Sequence, residues 1–355
     1  MSMNMNIAAD NSARSLRDRV LQDPSFGIVS LLVVAIIAMT IVEPSFATGG
    51  NVTNIINAMM TVSFLAIGMT VVLIAGGLDL SVGSTMAVTA GVAGKFISYG
   101  MPLGVAFMWS LVIGVGIGLI NGLLITKLGI PDFIATLAML GIGQGVILFW
   151  TQGVPILGYM NDAYYYIGGL KKIVGPISIP MIVVVVISVV MAIVLKRTKF
   201  GLKLYAVGSS PSSARNAGVN VDAIKISAYA ISGLFAAVAG IHIAGRTTTI
   251  PPLIGKGYEI SAIAAAVIGG ASLLGGKGRI IGALIGALTL TLTRNIINLI
   301  GIESSWQAIV TGSVLIGAVL ANRALGEFSH KRFRRGKTQK EKIDFVWFFT
   351  KQKSD

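Results

Sequence analysis

The stretch Val71–Val88, VVLIAGGLDLSVGSTMAV, holds one carboxylate, Asp79, among residues otherwise at home in lipid. Gly76 and Gly77 precede it, and Ser81, Gly83 and Ser84 follow. A charge in hydrocarbon is costly, and such residues are typically paired or functional. The apolar runs on either side approach the roughly 20 residues that a helix needs to cross a bilayer. The paired glycines mark a break between two such helices, since glycine accepts backbone conformations that other residues resist. Lipid cannot satisfy the free N–H groups at the start of the second helix, and Asp79 or Ser81 can take them up as a cap. Asp79 also qualifies as part of a path or gate, and the two roles are compatible.

The rest of the chain reads the same way. Of 355 residues, 54% are hydrophobic and 12% charged, against about 25% charged in soluble domains. Mean hydropathy is +0.82. Ten apolar runs are candidate spans: 26–43, 54–75, 81–99, 103–126, 132–151, 177–196, 224–243, 259–270, 279–300 and 305–322. The eighth is short and glycine-bounded, as a broken or half-spanning segment would be. The expected class is all-α, a polytopic bundle of about ten transmembrane helices over residues 26–323. An N-terminal segment (1–25) precedes it and a basic tail (324–355) follows. Arg14, Arg17 and Arg19 come before the first run and no small-residue cleavage site follows it, so it reads as a retained helix.

The net charge of +14 is explained by topology rather than by nucleic acid. An even number of spans puts both termini on one side. With the N-terminus inside, Lys127, the segment KRTKFGLK with Arg215 and Lys225, Lys277, Arg279 and the tail HKRFRRGKTQKEK are all cytoplasmic. The external connections are poorer in Lys and Arg, as the positive-inside rule requires. The Asp79 break then lies near the cytoplasmic face. The external loop 152–176, with NDAYYYIGG, is expected to hold a short interfacial helix, since tyrosine suits the membrane boundary. Gly114, Gly118 and Gly122, and again Gly278, Gly282 and Gly286, form small-residue stripes that let helices approach closely.

Several enzyme chemistries lack their parts. There is no cysteine, and the two histidines are His242 and His330, the latter in the basic tail. GGASLLGGKGR imitates a phosphate loop, but its spacing to Gly276–Lys277 is one residue off, and Gly278 stands where Ser or Thr should hold magnesium. Ser272 has no base in reach, because His242 falls near the far end of its helix. Polar residues inside the predicted helices are Asn57, Asn121, Gln144, Arg294, Asn295, Asn298 and Gln307. Asn121 and Gln144 are taken as pore-lining candidates. Phe149 and Trp150 could stack on a sugar but suit lipid or core contact better.

The cytoplasmic segment Lys196–Lys225 is longer than a bundle connection needs. Within it SSPSSARNAG reads as a capped helix: Ser210 as N-cap, Pro211 at the first position, Gly218 as the stop. Two turns are marginal alone, so the helix needs something to dock against.

Four blocks then carry a resemblance over residues 30–323: GGLDLSVGS (76–84), IPDFIATLAMLGIGQG (130–145), RTKFGLKLYAVGSSPSSARNAGVNV (197–221) and GYEISAIAAAVIGGASLLGGKG (257–278). The chain resembles the permease subunits of bacterial ATP-binding-cassette importers for simple sugars such as ribose, arabinose, xylose and galactose. The resemblance implies a vitamin-B12-type importer permease fold in the bacterial inner membrane, working as a dimer with a second copy or a paralogue. It implies ATP and magnesium on separate ATPase subunits, no cofactor and no catalysis on this chain, and a periplasmic sugar-binding protein. The coupling segment (197–223) would meet the ATPase through Ser209, Ser210, Pro211, Ala214, Arg215 and Gly218. The gate or pathway set is Gly76, Gly77, Asp79, Ser81, Asn121, Gln144 and Glu259. The chain departs from the family in two places. Gly208-Ser209-Ser210 replaces a usual Gly-Gly-Asn, and Ser261 stands where an acid is common. The alternative reading is an ion-driven secondary transporter, which would show acids on broken helices at mid-membrane.

Overall fold

The computed structural model describes residues 24–303 apart from Pro176, with a few positions between 306 and 317. The described helices are α1 (Pro24–Val42), α2 (Gly49–Ile74), α3 (Val82–Ser98), α4 (Leu103–Thr126), α5 (Asp132–Thr151), α6 (Asp162–Ile167), α7 (Ile179–Arg197), α8 (Lys199–Ser209), α9 (Pro211–Asn216), α10 (Val221–Thr247), α11 (Tyr258–Ile268) and α12 (Ile280–Leu299). Extended pairing among the described residues is limited to isolated bridges, Ile156 with Ile250 and Val174 with Ile177.

The first nine predicted spans are all helices. The tenth, with Gln307, lies largely outside the described residues, as do the N-terminal segment and the basic tail. Six helices, α2, α4, α5, α7, α10 and α12, are long and apolar enough to cross a membrane. α3 is 17 residues long and buried from Val82 to Gly94. Its Ser, Thr and Gly residues therefore meet protein rather than lipid. α11 has 11 residues and rises about 16 Å, half the hydrocarbon thickness, as a half-spanning segment should.

α10 is the central post and packs on α2, α3 and α4. α2 is buried at every residue from Met60 to Ile74, because α10, α11 and α12 surround it. α7 instead turns Val185, Val186, Val189 and Ile193 outward, which suits a lipid-facing helix. The stripe on α4 has a steric cause. A Cβ at Gly114 would strike the Gly233 carbonyl, and one at Gly118 would overlap the Tyr229 carbonyl. The backbones of α4 and α10 are thus in direct contact. Gly282 and Gly286 do the same for α12 against the carbonyls of Gly269 and Ala265. Gly278 does not share that stripe: it precedes α12 and rests on Ile74.

Two connections differ from expectation. The Lys196–Lys225 segment is two helices rather than a loop with one. Thr198 caps α8, its hydroxyl accepting the Gly201 N–H at 3.2 Å. The 152–178 connection does contain the expected helix, α6, capped by Asn161. Its aromatic residues, however, do not all sit at a membrane boundary. Tyr159 and Tyr164 are buried, with Tyr159 donating to the Ala244 carbonyl at 2.9 Å and Tyr164 edge-on to Phe107. The Asn57 amide, donating to the Gly169 carbonyl at 3.0 Å, ties the same connection to α2.

Gly118→Ala should force α4 and α10 apart and cost about 1–3 kcal/mol. Gly116→Ala, with open space around its Cβ position, should leave thermal unfolding of the purified protein unchanged. Equal Tm values for the two variants would contradict the backbone contact.

Candidate functional site

α2 ends at Ala75, and Gly76 turns the chain with φ of +72°. Residues 77–81 then cross into the bundle before α3 starts. Asp79 is 1% exposed, and donors from two elements meet it. Its Oδ1 accepts the Ser81 N–H at 3.0 Å and the Ser81 hydroxyl at 2.6 Å, and its Oδ2 accepts the Ser232 hydroxyl of α10 at 2.7 Å. Ser81 Oγ in turn accepts the Asn121 amide of α4 at 2.8 Å. The Leu78 carbonyl receives Tyr229 of α10 and Thr136 of α5, each at 3.3 Å. One buried carboxylate thus gathers α3, α4 and α10 at the break, and the carbonyl beside it adds α5.

This differs from simple capping. Ser81 is the N-cap residue of α3, but it has helical φ and ψ and makes no side-chain cap bond. A capping side chain generally needs the extended conformation, and the Ser81 hydroxyl is already committed to Asp79. The carboxylate meets α10 well inside that helix rather than at its end. Ser232 is the twelfth residue of α10, about 16 Å from the helix start. Gly76 faces Gly208 of α8 at the end of the bundle. Asn121 is fully buried in the same network, where it ties α4 to the break through Ser81. Gln144 is half-exposed on α5 and joins none of these bonds.

Glu259 belongs to a second junction. It sits in the first turn of α11, where its Oε1 accepts the Gly257 N–H at 3.1 Å. Its Oε2 is buried without a hydrogen-bond partner, against Gly83 in the first turn of α3. The N-terminal ends of α3 and α11 therefore meet inside the bundle.

The end of the bundle beyond Gly76 is formed by α8 and α9. Gly208 of α8 lies so close to the Ile74 carbonyl and the Gly276 amide that a Cβ would overlap both. The Gly276 N–H donates to the Ile74 carbonyl at 3.0 Å. Burial pushes the Tyr205 phenol up, so it stays protonated and donates to the Gly278 carbonyl at 2.8 Å. α9 has the caps expected of it: the Ser210 hydroxyl accepts the Ser213 N–H at 3.3 Å, Pro211 opens the helix, and Gly218 follows it with φ of +77°. Ala214 needs correction as a docking contact. It is buried among Leu204, Val207, Val221 and Ile224, so it anchors α9 to the bundle, and Ser212, Arg215 and Asn216 form the exposed outer face. Asp222 fixes the corner, 2.8 Å from Lys127 and 3.6 Å from Arg215.

Sequence reasoning missed α8, although Thr198 before KFGLKLYAVGS was a usable N-cap signal. It also missed that Asn51, Asn295, Arg246 and Arg294 line one cleft. Phe149 is 87% exposed, which agrees with lipid contact. Trp150 packs under Lys95, whose ammonium lies 5.0 Å from the ring centroid.

Ser232→Ala would leave a buried carboxylate oxygen unpaired and should destabilise the protein by about 1–3 kcal/mol. Asp79→Asn, which can still accept from Ser81 and donate to Ser232, should cost less. Chemical unfolding of both variants checks the order, and a more harmful Asp79→Asn would contradict this account of the network.

Residues 51–319 match a family described as branched-chain amino acid transport system / permease component. The chain is 39% identical over 298 residues to the ribose import permease protein RbsC of Escherichia coli (strain K12), covering 83% of this chain and 92% of that one. It is 37% identical over 292 residues to the RbsC of Bacillus subtilis (strain 168), covering 82% and 90%. It is 35% identical over 291 residues to the autoinducer 2 import system permease protein LsrC of Salmonella typhi, covering 81% and 82%. No solved structure matches the chain. With six membrane-length helices and a match over most of its length, this multi-pass membrane protein belongs to that family of transport-system permease components.

Proposed function

We propose that the chain is the permease subunit of an ATP-driven importer that moves a monosaccharide or similar small polyol across the bacterial inner membrane. The observation that carries this reading is the similarity to ribose import permeases over about nine-tenths of their length. Both termini lie in the cytoplasm, in keeping with the basic connections. ATP and magnesium bind on partner ATPase subunits, a periplasmic binding protein delivers the solute, and a second copy or a paralogue completes the permease.

The contacts support a mechanism. The ATPase bears on the outer face of α9, at Ser212, Arg215 and Asn216. α9 cannot yield independently, because Ala214 keys it to α8 and α10. α8 rests by Gly208 on the end of α2 and on the 275–276 turn. A push on α9 therefore reaches Gly76, the first residue of the break. From there it meets the Asp79 junction, where α3, α4 and α10 converge. The break is the hinge, and the hydrogen bonds of Asp79 and Leu78 are what rearrange as access alternates.

The ion-driven alternative draws on one specific observation. Asp79 and Glu259 both lie inside the bundle beside interrupted helices, as that mechanism would ask. The two readings separate in proteoliposomes carrying the chain, the ATPase and the binding protein. Uptake of labelled D-ribose should require ATP and resist a protonophore. Arg215→Glu should lower uptake at least tenfold and weaken ATPase binding while leaving Tm unchanged, since Arg215 is exposed and its surface ion pair contributes little. Uptake that needs no ATPase and collapses with the proton gradient would overturn the proposal.

A further inference from the structure

At the end of the bundle away from α8 and α9, a cleft of about 590 Å³ opens between the first turns of α2, the last turn of α10, the start of α11 and the second half of α12. That volume suits a small ligand. Its polar lining includes Arg246, Arg294, Asn51, Asn54, Asn295 and Tyr258. Arg294 stands five residues before the end of α12, within the membrane zone, where an unpaired cation is rare and usually functional. One of its guanidinium nitrogens donates to Ser261 at 2.6 Å, while its Nε is buried without a hydrogen-bond partner. Among the described residues no carboxylate lies within 4 Å of either guanidinium. Asn51 and Asn295 are locked in a reciprocal amide pair, at 2.7 and 3.1 Å, which holds α2 to α12 and braces the cleft from one side.

We infer that this cleft is a solute-binding station on the permease itself, selective for solutes dense in oxygen acceptors. Guanidinium groups carry only donors, so they meet hydroxyl, carbonyl or carboxylate oxygens and repel an ammonium. A polyhydroxylated solute fits, and its acidic derivatives fit better. An amino acid would bring an ammonium that finds no carboxylate there. The station is also linked to the moving parts. Arg294 holds Ser261 of α11, and Glu259, two residues earlier, rests on the first turn of α3 beyond the Asp79 break. This inference rests on the importer reading, and its test is chosen to fail separately.

The test is ATP-driven uptake by the complete importer in proteoliposomes, with D-ribose, D-xylose, D-galactose and D-galacturonate as probes. Arg246→Gln and Arg294→Gln should each raise the KM for transport at least tenfold, measured on complexes that contain the ATPase and the binding protein in wild-type amounts. The loss should be larger for galacturonate than for galactose. Arg294→Lys, which keeps the charge but loses the fork, should lie between. Ser261→Ala removes the partner of Arg294 but not the donors, so it should stay within about threefold of wild type. If wild type transports a probe sugar and both glutamine variants match its KM, the station is wrong while the importer reading stands. A Ser261→Ala defect equal to that of Arg294→Gln would assign Arg294 a structural role and overturn the inference. If wild type takes up none of the four probes, the inferred selectivity of the station is overturned, and ATP-dependent uptake of a different solute would still uphold the importer reading.

Discussion

The structure depends on keeping the Asp79 carboxylate inside an apolar bundle. Among the described residues no Lys or Arg forms an ion pair with Asp79. Its two oxygens are held instead by Ser81 and Ser232, and Asn121 holds Ser81 in turn. Donors of this kind make burial of a charge tolerable only when all are in place together. α3, α4 and α10 therefore have to arrive at one point in one register. The glycine contacts between α4 and α10 serve that end, because the Asn121 amide and the Ser232 hydroxyl reach the break only when the two backbones touch. The interruption between α2 and α3 is thus a fixed joint rather than a loose connection.

A joint of this kind can transmit motion. Packed contacts with no slack pass displacement along, and packed junctions switch between discrete arrangements rather than deform continuously. The α8–α9 pair, seated on the α2 terminus through Gly208, supplies the first kind. The Asp79 and Leu78 bonds supply the second. The cleft around Arg294 lies at the far end of α12 and communicates with the joint through α11. The pair, the joint and the cleft are linked in series, with the first turn of α11 joining the last two.

Much of this was legible in the sequence, and the failures have physical causes. Helix positions followed from apolar run length, because lipid penalises any other backbone arrangement. Ser210, Pro211 and Gly218 announced α9 because capping is local chemistry. α8 was hidden because its run of basic and apolar residues imitates a positively charged loop. Asp79 could be singled out, but not its partners, since the re-entry of residues 77–81 is fixed by Ser232 and Tyr229, some 150 residues away in the chain. Asn121 illustrates the limit. An amide on a spanning helix reads equally as path or packing, and its contact with Ser81 is fixed by the fold rather than by local sequence. The cleft was invisible because its lining comes from four helices whose relative rotation no local pattern encodes.

The central claim is that the α8–α9 pair acts on the Asp79 joint. Hydrogen–deuterium exchange of residues 75–82 in the assembled importer tests it most directly, comparing the nucleotide-free complex with the vanadate-trapped one. The account predicts a nucleotide-dependent change in the protection of these amides, and no such change in the permease without its ATPase. Identical exchange in both nucleotide states of a complex that transports would contradict it, and would place the moving hinge elsewhere in the bundle.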